Sequence, residues 1–175
     1  MSGHSKWKQI KHKKAVTDTK KSKVFSKLAQ LISMEAKKCG GDVNSPGLRL
    51  AISKARAENM PSDNIDRAVK KASEQKETYE NIMYEGYGHG GVGIIVEVLT
   101  SNRNKTSQEI KHIFSKHGGN LGAMGSVSWG FTKTEEGWEP NMTIPLKDED
   151  ADKLSPLIDA LEENEEVHEV YTNAD

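Results

Sequence analysis

The chain has 175 residues, a formal net charge of −1 at pH 7 and a single cysteine, Cys39. This length suffices for one large domain or two small ones, and one cysteine excludes an internal disulfide framework and fits a reducing compartment. The N-terminal segment lacks the apolar stretch of a secretory signal, and no apolar run approaches the roughly 18 residues of a membrane-spanning helix. We therefore expect a cytoplasmic protein with no membrane partner.

The near-zero net charge conceals a division along the chain. Residues 1–76 carry 18 Lys+Arg and 7 Asp+Glu, whereas residues 77–175 carry 7 and 19, so the two parts have net charges of +11 and −12. A basic half of this kind is typical of contact with nucleic acid or a membrane surface. We therefore predict two domains, a basic one over residues 1–76 and a second over residues 77–175 with an acidic C-terminal part.

The first 18 residues contain many lysines but few large apolar side chains. Such a segment buries too little surface to offset its ordering entropy, which predicts an arm that is mobile until it binds. Lysines neutralise phosphates and a tryptophan can stack on a base. A solvated tail is the alternative, whereas a lipid surface is disfavoured because the arm has no wide apolar face. The arm residues predicted to contact nucleic acid are His4, Lys6, Trp7, Lys8, Lys11, His12, Lys13 and Lys14.

Three short amphipathic helices are predicted to follow the arm and to form an antiparallel helical domain. The first covers residues 19–39 and ends at Gly40-Gly41, the second begins at Ser45-Pro46, and the third begins with Ser62 as its N-cap. Lys20, Lys21, Lys23 and Lys27 continue the basic run of the arm into the first helix and are predicted to contact nucleic acid with it. The helices also carry a second basic set, for which solvated outer-face charges are as much expected as nucleic-acid contacts. It consists of Arg49, Lys54, Arg56, Arg67, Lys70 and Lys71.

Residues 77–175 show a β-type pattern interrupted by two helices. The predicted strands cover residues 82–87, 92–100, 127–131, 142–146 and 167–172, and the predicted helices cover 106–117 and 150–164. This order implies an α+β domain whose helices pack on one face of a mostly antiparallel sheet. Pro156 is expected in the first turn of the second helix or at a kink.

A polar loop of Asn102, Arg103 and Asn104 is predicted before the first of these helices, which Thr106 and Glu109 open as a capping box. The amide and guanidinium groups of the loop suit contact with bases or phosphates. Equally, Asn favours such turns for backbone reasons alone. The three loop residues are therefore a second predicted nucleic-acid contact.

Two glycine-rich motifs carry no sign of nucleotide chemistry. GHGGVG at 88–93 formally matches the dinucleotide fingerprint, but a strand follows it, so no helix N-terminus is available for a pyrophosphate and a tight hairpin is favoured. GGNLG at 118–122 indicates a helix stop and a turn, with contact to a polynucleotide backbone as the alternative. No metal-ligand spacing or nucleophile motif stands out. We therefore expect no metal, no cofactor, no small-molecule substrate and no enzymatic activity.

Long motifs spread over nearly the whole chain resemble those of the YebC family. They are GHSKW (3–7), IKHKK (10–14), LRLAI (48–52), NMP (59–61), DNI (63–65), YEGYG (84–88), GGV (90–92), NRN (102–104), FSKHGGNLG (114–122) and VYTNAD (170–175). The resemblance implies a helical first domain followed by an α+β part. The family is named for probable transcriptional regulators that bind DNA. Its mitochondrial relatives are translational activators, and bacterial members are implicated at the ribosome in relieving stalls at proline-rich stretches.

The chain departs from that family pattern after the segment 127–131. Family members insert a further α/β domain there and resume at a segment like 142–146, whereas residues 132–139 bridge the gap directly here. Partner contacts of the inserted domain therefore do not carry over. A smaller difference is His89, where family members commonly have proline.

Three non-enzymatic functions are compatible with these observations. The favoured one is a translation factor associated with ribosomal RNA or the ribosome, because a lysine-rich arm with Trp and His suits irregular RNA. The alternative is a transcriptional regulator that binds duplex DNA, although none of the three helices presents an obvious base-reading face. The further alternative is a protein-interaction module that acts through its acidic face.

Overall fold

The computed structural model describes residues 6–12, 18–74 and 76–175, without the side chains of His12, Asp18 and Thr19. The chain divides into two compact units. One is Val16–Tyr79, and the other joins the N-terminal Met1–Ala15 to Glu80–Asp175. The predicted fold class, α+β with a mostly antiparallel sheet, is confirmed. The N-terminal segment therefore groups with the acidic part of the chain, whereas the sequence predicted it beside the three helices.

The helical unit consists of α2 (Asp18–Lys38), α3 (Pro46–Ala57) and α4 (Ser62–Lys71), which confirms the three predicted helices. α2 packs against both of the others. Apolar side chains at helical spacing form the shared core, because each helix buries one stripe of its surface. The core includes Ile32, Ala36, Leu48, Ala51, Ile52, Ala55, Met60, Ile65, Ala68 and Ala72.

The helices end where the sequence predicts them to end. Gly40 has a φ of +63°, and the N–H of Gly41 donates to the carbonyl of Ala36 at 2.8 Å, as in a Schellman cap. Asn59, at φ +61°, ends α3 in the same way. The prediction for Ser62 was wrong, since Ser62 lies inside α4 and Pro61 occupies the cap position.

The second unit is built on a four-stranded sheet in the order β3-β1-β2-β6, with every neighbouring pair antiparallel. Its strands are β1 (Glu80–Tyr87), β2 (Gly93–Thr100), β3 (Asn120–Leu121) and β6 (Val167–Thr172). A short 3-10 turn at His89–Gly91 joins β1 to β2, which confirms the predicted hairpin.

The central strand β2 is buried on both faces. On one face Ile94, Val96 and Val98 pack with α5 (Arg103–Lys116) and α6 (Asp148–Glu163). On the other face Ile95 packs with Phe131 and Trp138. Phe131 and Trp138 belong to a separate two-stranded hairpin of β4 (Phe131–Thr134) and β5 (Gly137–Pro140). The predicted direct bridge over residues 132–139 is therefore a folded element that covers one face of the sheet.

The N-terminal arm is the largest correction to the sequence-based prediction. Residues Lys6–His12 form a helix, α1, that contacts α6. Trp7 is only 2% exposed and lies in the core beside α6, and Ile10 packs against that core. Burying one tryptophan removes about 150–250 Å² from water, which offsets the ordering of a short segment once a preformed surface receives it.

Two strand predictions in the second unit were also wrong. The predicted strand over 127–131 is a 3-10 turn at Ser128–Gly130 before β4 begins. The predicted strand over 142–146 reduces to a single bridge between Ile144 and Ala174. Pro156 lies in the interior of α6, which excludes the first turn and leaves the kink as the remaining prediction.

The predicted capping box at Thr106 was wrong as well. α5 begins at Arg103, and the side chain of Asn102 accepts the N–H of Lys105 at 3.2 Å. Thr106 is buried one turn into the helix, where its hydroxyl bonds to Thr100 at 2.8 Å. Within the described ranges of the chain, no helix is long and apolar enough to cross a bilayer.

Candidate nucleic-acid interface

The lysines of α1 face carboxylates of their own unit. Lys6 Nζ lies 2.7 Å from a carboxylate oxygen of Asp152, and Lys8 forms an ion pair with Asp175. The hydrogen bond from Lys6 to Asp152 raises the pKa of Lys6, and the bond from Lys8 lowers the pKa of Asp175. Two of the lysines that the sequence concentrates here are therefore paired with the acidic part of the same chain.

Trp7 is not placed to stack on a base. Its ring is buried, its indole Nε1 has no hydrogen-bond partner, and the Lys11 ammonium lies 5.8 Å from the ring centroid. The structure therefore gives Trp7 a packing role, in contrast to the predicted one. The predicted contacts His4, Lys13 and Lys14 and the side chain of His12 lie outside the described residues.

The lysines predicted on α2 lie toward its N-terminal end. Lys20, Lys23 and Lys27 are spaced by three and four residues, which puts them on one face of the helix, and Lys21 lies on another. Lys20, Lys21 and Lys23 are exposed, and Lys27 is half-buried. This spacing gives α2 a stripe of positive charge in the helical unit.

Arg49 and Arg56 are seven residues apart on α3, which is two helical turns, so their side chains lie on the same side. Both are exposed, and Leu48 and Ala55 occupy the opposite, buried side. Neither guanidinium has an ion-pair partner among the described residues. The two arginines therefore present fixed positive charge that no carboxylate of the described chain neutralises.

Helix α4 carries three further cations of the second basic set. Arg67, Lys70 and Lys71 are all exposed, and within the described residues none of them has an ion-pair partner. Their charge was visible in the sequence, but charges on the outer face of a helix are common and give no signal of their own. Their shared lack of partners is visible only in the structure.

The predicted contact loop at Asn102, Arg103 and Asn104 is mostly used for local structure. The Asn102 amide oxygen caps α5, and the Arg103 guanidinium lies 3.9 Å from the carboxylate of Glu80. Arg103 remains exposed, as does Asn104. The role of Asn102 as the cap of α5 therefore accounts for its presence in this loop without a nucleic-acid contact.

Sequence reasoning missed an ordered loop that follows β3. The Glu85 carboxylate, 2% exposed, accepts the backbone N–H groups of Gly125, Val127 and Ser128. Burial opposes ionisation of Glu85, but bonds from the Ser128 hydroxyl and from these N–H groups outweigh it and hold the pKa below its ordinary value. The loop that Glu85 organises ends in Trp129, which is 80% exposed.

Comparison with known proteins agrees with the motifs found in the sequence. Residues 5–75 match the TACO1/YebC protein N-terminal domain, and residues 79–136 and 131–174 match the TACO1/YebC second and third domain. The chain belongs to the TACO1/YebC family. The two matches to the second and third domain meet at the β4–β5 hairpin.

Its TACO1/YebC relatives include proteins named "Probable transcriptional regulatory protein". The one from Halothermothrix orenii is 47% identical over 165 residues, and the one from Caldicellulosiruptor saccharolyticus is 40% identical over 237 residues. A crystal structure of a conserved hypothetical protein from Aquifex aeolicus has a TM-score of 0.81 and 33% identity, and the match covers 98% of this chain and 97% of that one. That likeness supports the fold across both units.

The chain is shorter than these TACO1/YebC relatives. The alignment with the Halothermothrix protein covers 93% of this chain but only 63% of that relative. The alignment with the Caldicellulosiruptor protein takes in 99% of this chain and 98% of the relative, over more positions than the 175 residues present here. The relative therefore has residues without a counterpart in this chain.

Proposed function

We propose that this chain is a non-enzymatic, cytoplasmic regulator of gene expression that binds nucleic acid through its helical unit. The observation that carries the proposal is the pair of exposed arginines on α3, Arg49 and Arg56, which no carboxylate of the described chain neutralises. Guanidinium groups bind phosphate oxygens in a bidentate manner, and each phosphate neutralised releases counterions. The relatives' names, which describe regulatory proteins, agree with this role.

We favour RNA, in the form of a ribosome-associated translation factor that activates translation or relieves stalling at proline-rich stretches. The outer side of α3 carries Arg49, Ser53 and Arg56 without an Asn or Gln beside them, and recognition of RNA depends more on phosphates and shape than on a helix that reads base edges in a groove. Duplex DNA is the second candidate, supported by the transcriptional names of the relatives. A protein-interaction role for the acidic face of α6 is the third, because Asp148, Glu149 and Asp150 begin that helix.

The test of the helical interface compares two variants that remove the same amount of charge. Arg49→Gln with Arg56→Gln should weaken binding to ribosomal RNA fragments by on the order of 100-fold or more at low salt, since each of the two charged hydrogen bonds contributes roughly 1.5–3 kcal/mol. The slope of log affinity against log salt should fall by about 2, close to 0.9 per lost phosphate contact. Lys6→Gln with Lys8→Gln, whose ammonium groups are paired with Asp152 and Asp175, is the control and should bind normally. An equal loss in both variants would contradict the proposal.

The choice between RNA and DNA needs a measurement in cells. Ultraviolet crosslinking of the full chain, followed by stringent purification and sequencing, should recover ribosomal RNA at one site. Discrete promoter fragments would establish the transcriptional function instead. Scattered fragments of both RNA and DNA would indicate only non-specific electrostatic binding and would favour the acidic face as the functional surface.

A further inference from the structure

Two aromatic side chains of the second unit converge on one backbone carbonyl. The hydroxyl of Tyr87 donates to the carbonyl of Ser126 at 2.6 Å, and the indole Nε1 of Trp129 donates to the same oxygen at 2.8 Å. Trp129 is 80% exposed and Tyr87 is 40% exposed, so both rings remain open to solvent. We call these two residues the aromatic pair.

The aromatic pair is held in place before any partner arrives. The Glu85 carboxylate accepts three backbone N–H groups of the loop, and the N–H of Gly122 donates to the carbonyl of Glu85 at 2.8 Å. The indole is further oriented by its own hydrogen bond. A side chain that is already ordered loses less entropy on binding, which suits a contact surface and is unnecessary for an ordinary solvent-facing residue.

The sequence that contains the loop is poor in acidic residues. The unit is acidic overall, yet residues 110–134 contain no Asp or Glu, and the stretch carries Lys111 and Lys116. Both lysines are exposed, and neither has an ion-pair partner among the described residues. The one other lysine of the stretch, Lys133, is engaged with Glu97 at 2.6 Å. The first two lysines lie on α5, which packs on the face of the sheet opposite to Val127 and Phe131, and residues 122–130 of the loop contain no carboxylate that would repel a phosphate backbone.

We propose that the aromatic pair stacks on an unpaired base of single-stranded nucleic acid. The indole N–H is already satisfied within the loop, so the faces of the ring are what remains for a partner, and stacking on a base requires only those faces. Duplex nucleic acid offers no unstacked base to such a platform. This inference goes beyond the proposed function, because it assigns a second contact to the α+β unit and gives that contact a preference for single strands.

The test uses the full chain and two probes, an adenine RNA strand of about 12 nucleotides and a duplex of the same length. Trp129→Ala should weaken binding of the strand by about 5- to 150-fold, the range expected for one base stacked on an aromatic ring, and should leave duplex binding unchanged. Trp129→Phe should restore part of the loss. Met124→Ala is the matched control, since Met124 is also 80% exposed and lies on the same loop but offers no ring.

Several results would overturn the inference. If Trp129→Ala binds the strand as well as the unchanged chain does, the aromatic pair does not stack on a base and is assigned to a protein partner. Equal losses for Trp129→Ala and Met124→Ala would attribute the effect to the loop's shape and not to the ring. Unfolding curves confirm that each variant is folded, which is expected because Trp129 is exposed.

The two proposals fail separately. If Arg49→Gln with Arg56→Gln weakens both probes while Trp129→Ala weakens neither, the helical interface stands and the aromatic contact does not. If Trp129→Ala weakens the strand alone while the arginine variant binds both probes normally, the aromatic contact stands and the helical interface does not.

Discussion

Helices α1 and α3 are both basic, yet they differ in what surrounds their charges. On α1, Lys6 and Lys8 form ion pairs with Asp152 and Asp175. On α3, the guanidinium groups of Arg49 and Arg56 have no such partner within the described residues. The number of cations in a segment therefore does not measure the charge that the segment offers to a polyanion.

The acidic composition of the second unit explains the difference. Residues 80–175 carry 18 Asp+Glu against 7 Lys+Arg, and α1 supplies lysines to that surface. Exposed ion pairs contribute little to stability, so Trp7, buried beneath them, must provide most of the attachment. The described part of the basic arm thus packs on its own unit, where two of its lysines are paired.

The largest expected effect is a loss of stability on truncation of Trp7, which is buried on α1, in contrast to the exposed arginines of α3. Trp7→Ala should lower the free energy of unfolding by about 3–5 kcal/mol, because it removes a buried aromatic ring from the core beside α6. Trp7→Phe should cost much less, since Nε1 of Trp7 has no hydrogen bond to lose. Urea unfolding measures both. Normal stability combined with weak nucleic-acid binding in Trp7→Ala would restore the arm as a binding element.

A smaller effect is expected at Glu85. Glu85→Gln should cost roughly 1–3 kcal/mol at neutral pH, because the carboxylate accepts several buried N–H groups. Since the pKa of Glu85 is lowered, its contribution is complete above the ordinary value of 4.5 and is lost as the pH falls through the lowered value. The unchanged chain should therefore lose more stability than the variant on acidification. Parallel curves of stability against pH would show that Glu85 does not anchor the loop as an anion.

The smallest effect is expected for the ion pairs of α1. Lys6→Gln with Lys8→Gln should shift the thermal midpoint only slightly, and added salt should remove the shift, because both pairs are solvent-exposed. Differential scanning calorimetry at two ionic strengths measures this. A large shift that persists in high salt would mean that the ion pairs, and not Trp7, attach the helix.

Much of the fold was predictable because it depends on neighbours in sequence. The apolar spacing on α2, α3 and α4 identified the three helices, and Gly40 marked the end of the first. The β1–β2 hairpin was predictable for the same reason. The predicted contacts Arg49 and Arg56 remain predictions, but the structure shows why they differ from Lys6 and Lys8.

The errors share a cause, which is a partner distant in sequence. Alternation over residues 127–131 suggested a strand, but Glu85 on β1 accepts the backbone N–H groups of Val127 and Ser128 and holds a turn there. Thr106 resembled a helix cap, but its hydroxyl bonds to the carboxylate of Glu166, 60 positions away, and the helix begins three residues earlier. A local sequence pattern does not show which hydrogen-bond partner a group finds in the folded chain.

The sequence by itself determined the family, the α+β class, the helical stripes and the division of charge, because each of these follows from residue identity and short-range spacing. The tertiary structure alone decided which charges are neutralised and which aromatic ring is exposed. Lys6 and Asp152 are 146 positions apart, and Trp129 is held outward by a carbonyl that Tyr87 shares. Burial and ion pairing depend on what the folded chain brings together, so Trp7 became part of the core while Trp129 was left open to a partner.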